Sequence, residues 1–309
     1  MKGALGRFDA ARVGDRGVVA SLADLIALRG PALSFSHYRA ARTGAGGRGA
    51  VRRGMGMEFA EARPYQPGDD ARHVDWRQTA RHGRLYTKLF QEEVERPVQL
   101  VVDLGSSMRF GTRHVFKSVQ AAYAAAWLAW AAIASGERVG GAIWDGRQLH
   151  YCRPRGRVAG ALAFLGGLVD ASAKVVSEER MDLGASLHYL GPLPRAGSVV
   201  IVISDFAQVD DETEHRITML AKRTDLILVM VHDPFEIAPP PGCYRLSDGR
   251  DTMTLDLRTD VARESYGAAF HARRARLERL SGRLALPFVS LSTEDEPGPL
   301  LLRAFTNDR

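Results

Sequence analysis

Two apolar runs of this chain end in aspartate: VVD at Asp103, followed at once by LGSSM, and VIVISD at Asp205. Carboxylates and hydroxyls brought to neighbouring strand ends make an all-oxygen donor set. Such a set suits a hard divalent cation, Mg2+ or Mn2+, with part of its shell left as water. Asp103, Ser107 and Asp205 are the candidate ligands, with Ser106 as a further one. The same aspartates have a simpler use, since aspartate accepts backbone N–H groups and favours the positive end of a following helix. No Ser/His/Asp set, Walker loop or G-x-G-x-x-G stands in a catalytic context, so no catalytic residue is assigned.

A second stretch, RPYQPGDDARHVDWRQTARHGRLY at residues 63–86, sets five arginines against three aspartates with Tyr65 and Trp76 between them. Pro67, Gly68, Asp69 and Asp70 form a turn signal. Arg72 and Arg81 are expected to make bidentate bonds to Asp70 and Asp75. Trp76 offers a flat face on which Arg77 or Arg81 could stack. Two uses fit these residues: an ionic staple that holds a small lobe against a larger sheet, or a docking surface. The staple is the preferred reading.

The elements that must position these residues follow from periodicity. Apolar runs at 98–104, 138–145, 198–205 and 225–233 alternate with helical patterns at 113–135, 157–169, 211–223 and 260–282. A strand is expected near 84–91, a second at QLHYCRP, a last one at LPFVSLS and a closing helix at PLLLRAF. A further helix is expected at 182–190. Fully apolar strands separated by helices imply an α/β fold, a doubly wound and mainly parallel sheet covered on both faces. Ligands then sit beyond the carboxyl ends of the strands, where Asp103 and Asp205 fall. Residues 239–257 read as a hairpin turning at 247–249. The expected division has three parts. Residues 1–55 are a basic helix and Gly-rich linker. Residues 56–97 with 239–257 are a small β-rich lobe carrying the motif. Residues 98–238 with 258–309 are the α/β domain.

Composition bounds the compartment and the partners. With 309 residues and 45% hydrophobic content the chain can bury a sizeable core. Two cysteines, Cys152 and Cys243, make no disulfide framework and no zinc cluster, which points to the reducing cytoplasm. The segment 119–135 is Ala-rich and too short and weak for a membrane span, so a buried helix is expected. The net charge of +6 lies at the head of the chain. Residues 1–55 hold ten Lys/Arg and three Asp, a net +7, which leaves −1 for the other 254 residues. Only five of the 42 basic residues are lysine, so the arginine bias is chain-wide and signals no specific nucleic acid.

The strand ends resemble the metal-ion-dependent adhesion site of the von Willebrand factor A domain. Asp103 matches its first aspartate, Ser107 its second serine and Asp205 its late aspartate, so three of five ligand positions are kept. Gly105 stands where that pattern has the first serine, and Met181 where it has threonine. The resemblance therefore implies the fold, and at most weak binding of Mg2+ or Mn2+. The longer run GMEFAEARPYQPGDDARHVDWRQTAR, continuing into LYTKLFQEEVERPVQLVVDLGSSM, resembles the bacterial domain-of-unknown-function family 58. Arg63, Tyr65, Pro67, Gly68, Asp69, Asp70, Arg72, Asp75, Trp76 and Arg81 all fall in its pattern. Members of that family are commonly encoded beside MoxR-type AAA+ ATPases. The resemblance implies a non-enzymatic protein-interaction adaptor that helps such an ATPase assemble or remodel complexes around an unknown client protein. Some members carry N-terminal transmembrane helices, and none is expected here. Two rivals are a Mg2+-dependent phosphoester hydrolase built on Asp103 and Asp205, and a basic adaptor that meets membrane or nucleic acid through residues 1–55.

Overall fold

The computed structural model describes residues 17–33, 57–66, 69–92, 97–174, 197–247 and 252–306. It divides into two compact units, Met1–Ala45 with Arg96–Arg309, and Gly46–Glu95.

The larger unit is built on six strands: β3 (Val98–Asp103), β4 (Val139–Trp144), β5 (Leu149–Arg155), β6 (Val199–Ser204), β7 (Asp225–His232) and β10 (Phe288–Ser292). Their spatial order is β10-β7-β6-β3-β4-β5, parallel except for β5, which pairs antiparallel with β4 at one edge. This is an α/β doubly wound, mainly parallel sheet, the architecture that the resemblance to the von Willebrand A domain implies. The chain lays β3, β4 and β5 in one direction, then returns to the other side of β3 with β6, β7 and β10. The switch point therefore lies between β3 and β6, where such sheets place their crevice.

Alternate residues of the central strands feed two cores. Leu100, Val102, Ile201, Ile203, Val229 and Val231 face one side. Val101, Val200, Val202, Leu228 and Met230 face the other, against Phe270, Leu277 and Leu280 of the helix Asp260–Leu284. The central strands are buried on both faces, which is why they read as unbroken apolar runs. Gly141 lies in β4 with φ +143°, and a Cβ there would meet the Leu100 backbone at 2.0 Å, so only glycine fits that step of the sheet.

The helix Lys117–Ala134 is buried from Lys117 to Ala132. The expected helix at 113–135 is thus a core element, and no helix among the described residues is long and apolar enough to cross a membrane. A helix buried on all sides needs cover. Part of it comes from the helices Leu22–Ala27 and Arg29–Leu33, with Leu25 and Ala32 fully buried. The Trp130 indole N–H donates to Leu25 O at 2.9 Å, Phe116 N–H donates to Gly17 O at 2.8 Å, and the Arg29 guanidinium lies 5.5 Å from the Trp130 ring. Residues 17–33, within the part expected as a basic helix and Gly-rich linker, thus carry two short helices that pack on this core. The Gly-rich stretch 43–56 lies outside the described residues, as do the expected helix 182–190 and Met181.

The hairpin is also corrected. β8 (Cys243–Ser247) and β9 (Thr252–Asp256) leave the main sheet as expected, but among the described residues they pair with each other alone, and they belong to the larger unit. Tyr244 explains their place. Its ring packs edge-on against Phe235 at 4.8 Å and its hydroxyl donates to Pro240 O, so the hairpin closes on its own stem.

The smaller unit holds β1 (Met57–Pro64) antiparallel to β2 (Tyr86–Glu92), a 3-10 turn at Ala71–His73 and the helix Trp76–His82. The helix ends at Gly83 with φ +65°, a left-handed C-cap that suits glycine.

Candidate functional site

Asp103 and Asp205 stand at the carboxyl ends of β3 and β6, on either side of the switch point, and both are buried. Each is tied by local donors. Asp103 Oδ1 accepts from the Gly105 N–H at 2.9 Å and Oδ2 from the Ser204 hydroxyl at 2.7 Å. Asp205 Oδ1 accepts from the Ala207 N–H at 3.0 Å and from the Ser107 hydroxyl at 3.2 Å. Ser107 thus joins Asp205 across 98 residues of sequence, on the 3-10 turn Ser106–Met108. Ser106 is exposed on that turn. Gly105 has a steric reason: a Cβ there would lie 3.0 Å from Asp103 Oδ1 and 3.4 Å from the Trp144 indole nitrogen.

The group that sequence reasoning missed is Lys117. It is the first residue of the buried helix and only 2% exposed. Its ammonium donates to Asp205 Oδ2 at 2.7 Å and to Glu236 Oε1 at 3.1 Å. Arg273 meets the same Glu236 oxygen at 3.3 Å. Glu236 Oε2 in turn accepts from the Asp233 N–H, within a capping box that starts the short helix Pro234–Ile237. The signal that could have found Lys117 is weak, a lysine opening an Ala-rich helix.

These contacts set the charges. Burial pushes Asp103 up to about 6, and the neighbouring Asp205 carboxylate adds to the shift. Burial would raise Asp205 as well, but the Lys117 ammonium outweighs it and holds that carboxylate below its ordinary value. Burial alone would lower Lys117, yet Asp205 and Glu236 keep it above the usual ammonium range.

The donor set can now be compared with a divalent ion. Mg2+ wants oxygens at about 2.0–2.1 Å in near-octahedral array. Here both Asp103 oxygens already accept hydrogen bonds, and Asp205 Oδ2 faces an ammonium. A cation on Asp205 Oδ2 would meet the like charge of Lys117. The residues as arranged do not fit Mg2+ or Mn2+, and no cluster of three or more His, Cys, Asp or Glu among the described residues is disposed to hold a metal.

Two more strands end in aspartates that sequence reasoning left unassigned. Asp145 follows β4 and accepts from the Arg147 and Gln148 N–H groups, with His150 at 2.6 Å and Lys174 at 3.0 Å. Asp233 follows β7 and binds the Thr112 and Thr293 hydroxyls at 2.6 and 2.8 Å. Four strand-end aspartates thus pin four loops.

The ion pairs of the motif at 63–86 are local to it. Arg63 pairs with Asp69 at 2.7 Å, Tyr65 donates its hydroxyl to Asp69 O, and Arg72 grips both oxygens of Asp70. The Arg72 guanidinium holds the Asp70 carboxyl well below the usual carboxylate range. The expected Arg81–Asp75 pair is absent. Asp75 Oδ1 instead accepts from the Arg77 and Gln78 N–H groups at 3.0 and 3.1 Å and caps the helix, while Arg81 is exposed. Among the described residues no arginine stacks on Trp76, which is 70% exposed. Pro67 and Gly68 lie outside the described residues.

Among solved structures, the chain is similar to the conserved hypothetical protein BatB from Bacteroides thetaiotaomicron, at 15% identity over 62% of this chain and 98% of that one, with TM-score 0.38. It is also similar to a von Willebrand factor type A protein from Catenulispora acidiphila, at 13% identity over 71% of this chain and 42% of that one, with TM-score 0.35. In sequence it is 30% identical over 246 residues to the uncharacterized protein Rv1480 of Mycobacterium tuberculosis (strain ATCC 25618 / H37Rv), covering 78% of this chain and 76% of that protein. The uncharacterized protein Mb1516 of Mycobacterium bovis matches to the same extent. The model of the family described as "Protein of unknown function DUF58" matches residues 61–276, the motif, the switch point and most of the sheet together, and the chain belongs to that family.

Proposed function

We propose that this chain is a non-enzymatic protein-interaction adaptor that works in the cytoplasm with a MoxR-type AAA+ ATPase, assembling or remodelling complexes around a client protein. The observation that carries the reading is Trp76. It opens a capped helix inside the motif that defines the family resemblance, yet its indole is 70% exposed. A large aromatic held out on a fixed backbone is the usual anchor of a protein–protein contact. The motif's ion pairs Arg63–Asp69 and Arg72–Asp70 stiffen the turn before that helix. The strand ends at the switch point support the reading as well. Their carboxylates accept local hydrogen bonds and, at Asp205, the Lys117 ammonium, which favours a structural over a hydrolytic use. The ATPase as partner rests on the family resemblance, and the cytoplasm on the free thiols of Cys152 and Cys243.

The test is direct binding between the purified chain and a purified MoxR-type ATPase of the same organism, with and without ATP. Trp76→Ala should weaken the complex by at least about tenfold, the loss of roughly 1.4 kcal/mol, while melting as the parent does. Failure of the pair to associate in any nucleotide state would defeat the proposal. So would Mg2+-dependent phosphatase turnover that disappears in Asp103→Asn.

A further inference from the structure

Lys117 sits where a lysine is costly. Burial disfavours its charge, and the first position of an 18-residue helix adds the repulsion of the helix's positive end. Phe116 before it offers no side-chain cap. Against this stand Asp205 Oδ2 at 2.7 Å, Glu236 Oε1 at 3.1 Å and the Phe110 ring, whose centroid is 5.8 Å from the ammonium. The carboxylates approach from β6 and from the helix Pro234–Ile237, so one nitrogen ties together three elements around the switch point.

We infer that the Lys117 ammonium is the built-in cation of this crevice. It occupies Asp205 Oδ2, the oxygen of the late aspartate that the Ser107 hydroxyl leaves free, and the strand ends are organised without metal. Two features support the assignment besides the two ion pairs. Asp103, the other carboxylate of the pattern, is turned to Gly105 and Ser204 and accepts from both. A Cβ at Gly105 would lie 3.0 Å from Asp103 Oδ1, a tight contact, and the glycine supplies no side-chain oxygen where the adhesion-site pattern has a serine hydroxyl. The lysine and the glycine are thus complementary: one supplies the charge, the other removes a ligand. The inference stands independently of the ATPase partnership.

The test is titration of the full chain with Mn2+, followed by electron paramagnetic resonance, with thermal melting in Mn2+ and in chelator as a second readout. The wild-type chain should show no Mn2+ binding that depends on Asp205, and the same midpoint in both conditions. Lys117→Met keeps the apolar stem and removes the charge, leaving Asp205 Oδ2 and Glu236 Oε1 facing one vacated position. It should bind Mn2+ at least about tenfold more tightly than the wild type and melt higher in Mn2+ than in chelator. Adding Asp205→Asn should cancel both gains. Mn2+ binding by the wild type that Asp205→Asn abolishes would overturn the inference. A folded Lys117→Met with no gain in affinity would overturn it equally. Should Lys117→Met not fold, Lys117→Gln and the wild-type titration decide the matter by the same outcomes.

Discussion

Asp103 and Asp205 are the same residue type, at the ends of adjacent strands, yet they hold protons differently. Asp205 has an ammonium partner and stays ionised, whereas Asp103 has only neutral donors and is pushed up to about 6. The sign of the stability effect follows. Below about pH 4 Asp103 is protonated in both folded and unfolded chains and contributes nothing. Between there and its folded value the unfolded chain ionises first, so stability falls as pH rises through that window and then levels. Two pH units of separation correspond to roughly 3 kcal/mol. Asp103→Asn removes this titration while losing one acceptor for the Gly105 N–H or the Ser204 hydroxyl. Urea unfolding at several pH values should show the variant gaining on the wild type between about pH 4 and pH 6. A constant difference across the window would mean that Asp103 is ionised like an exposed carboxylate. At this scale the strand-end places of Asp103 and Asp205 were legible, because an apolar run that stops at aspartate marks a strand end. Lys117 was not, because its partners lie 88 and 119 residues away in sequence and only the strand order brings them together.

Elements were more legible than their partners. The six strands of the main sheet and the helices Lys117–Ala134, Asp211–Ala221 and Asp260–Leu284 lie where periodicity put them. The hairpin 243–256 was located as well, but its assignment to the small lobe failed. A turn with two alternating arms fixes which residues pair locally and says nothing of which sheet lies beside them. The helix Trp76–His82 was missed for a related reason: its charged residues suggested long-range ion pairs, whereas Asp75 followed by polar residues is also a helix start. That difference has a measurable consequence. As an N-cap, Asp75→Ala should cost about 1 kcal/mol, and Asp75→Ser should recover most of it because serine also caps. Arg81→Ala should be close to neutral. A large loss in Arg81→Ala that matches Asp75→Ala in thermal melts would reinstate the ion pair in place of the cap.

At the scale of the whole molecule the two units are stabilised by different means. The larger has a sheet covered on both faces, and the helices of residues 22–33 complete the cover of its Ala-rich helix. The smaller has a two-stranded sheet and one short helix, and the buried side chains described there are Val74, Asp75 and Thr87. Two strands alone are marginal in water, and ion pairs at the surface add little, on the order of 1 kcal/mol or less each. Local opening should therefore be easier in the motif unit than in the sheet. Amide hydrogen exchange is the direct measurement. Residues 57–64 and 86–92 should exchange well before the strands 98–103, 199–204 and 225–232, whose opening requires the global transition. The consequence for function is mechanical: an ATPase that engages Trp76 would grip the part of the molecule that opens at least cost, and could rearrange it while the sheet stays folded. Equal protection of the two sheets, without any partner added, would show that the motif unit is as firmly held as the core, and an anchor at Trp76 would then transmit force to the whole chain.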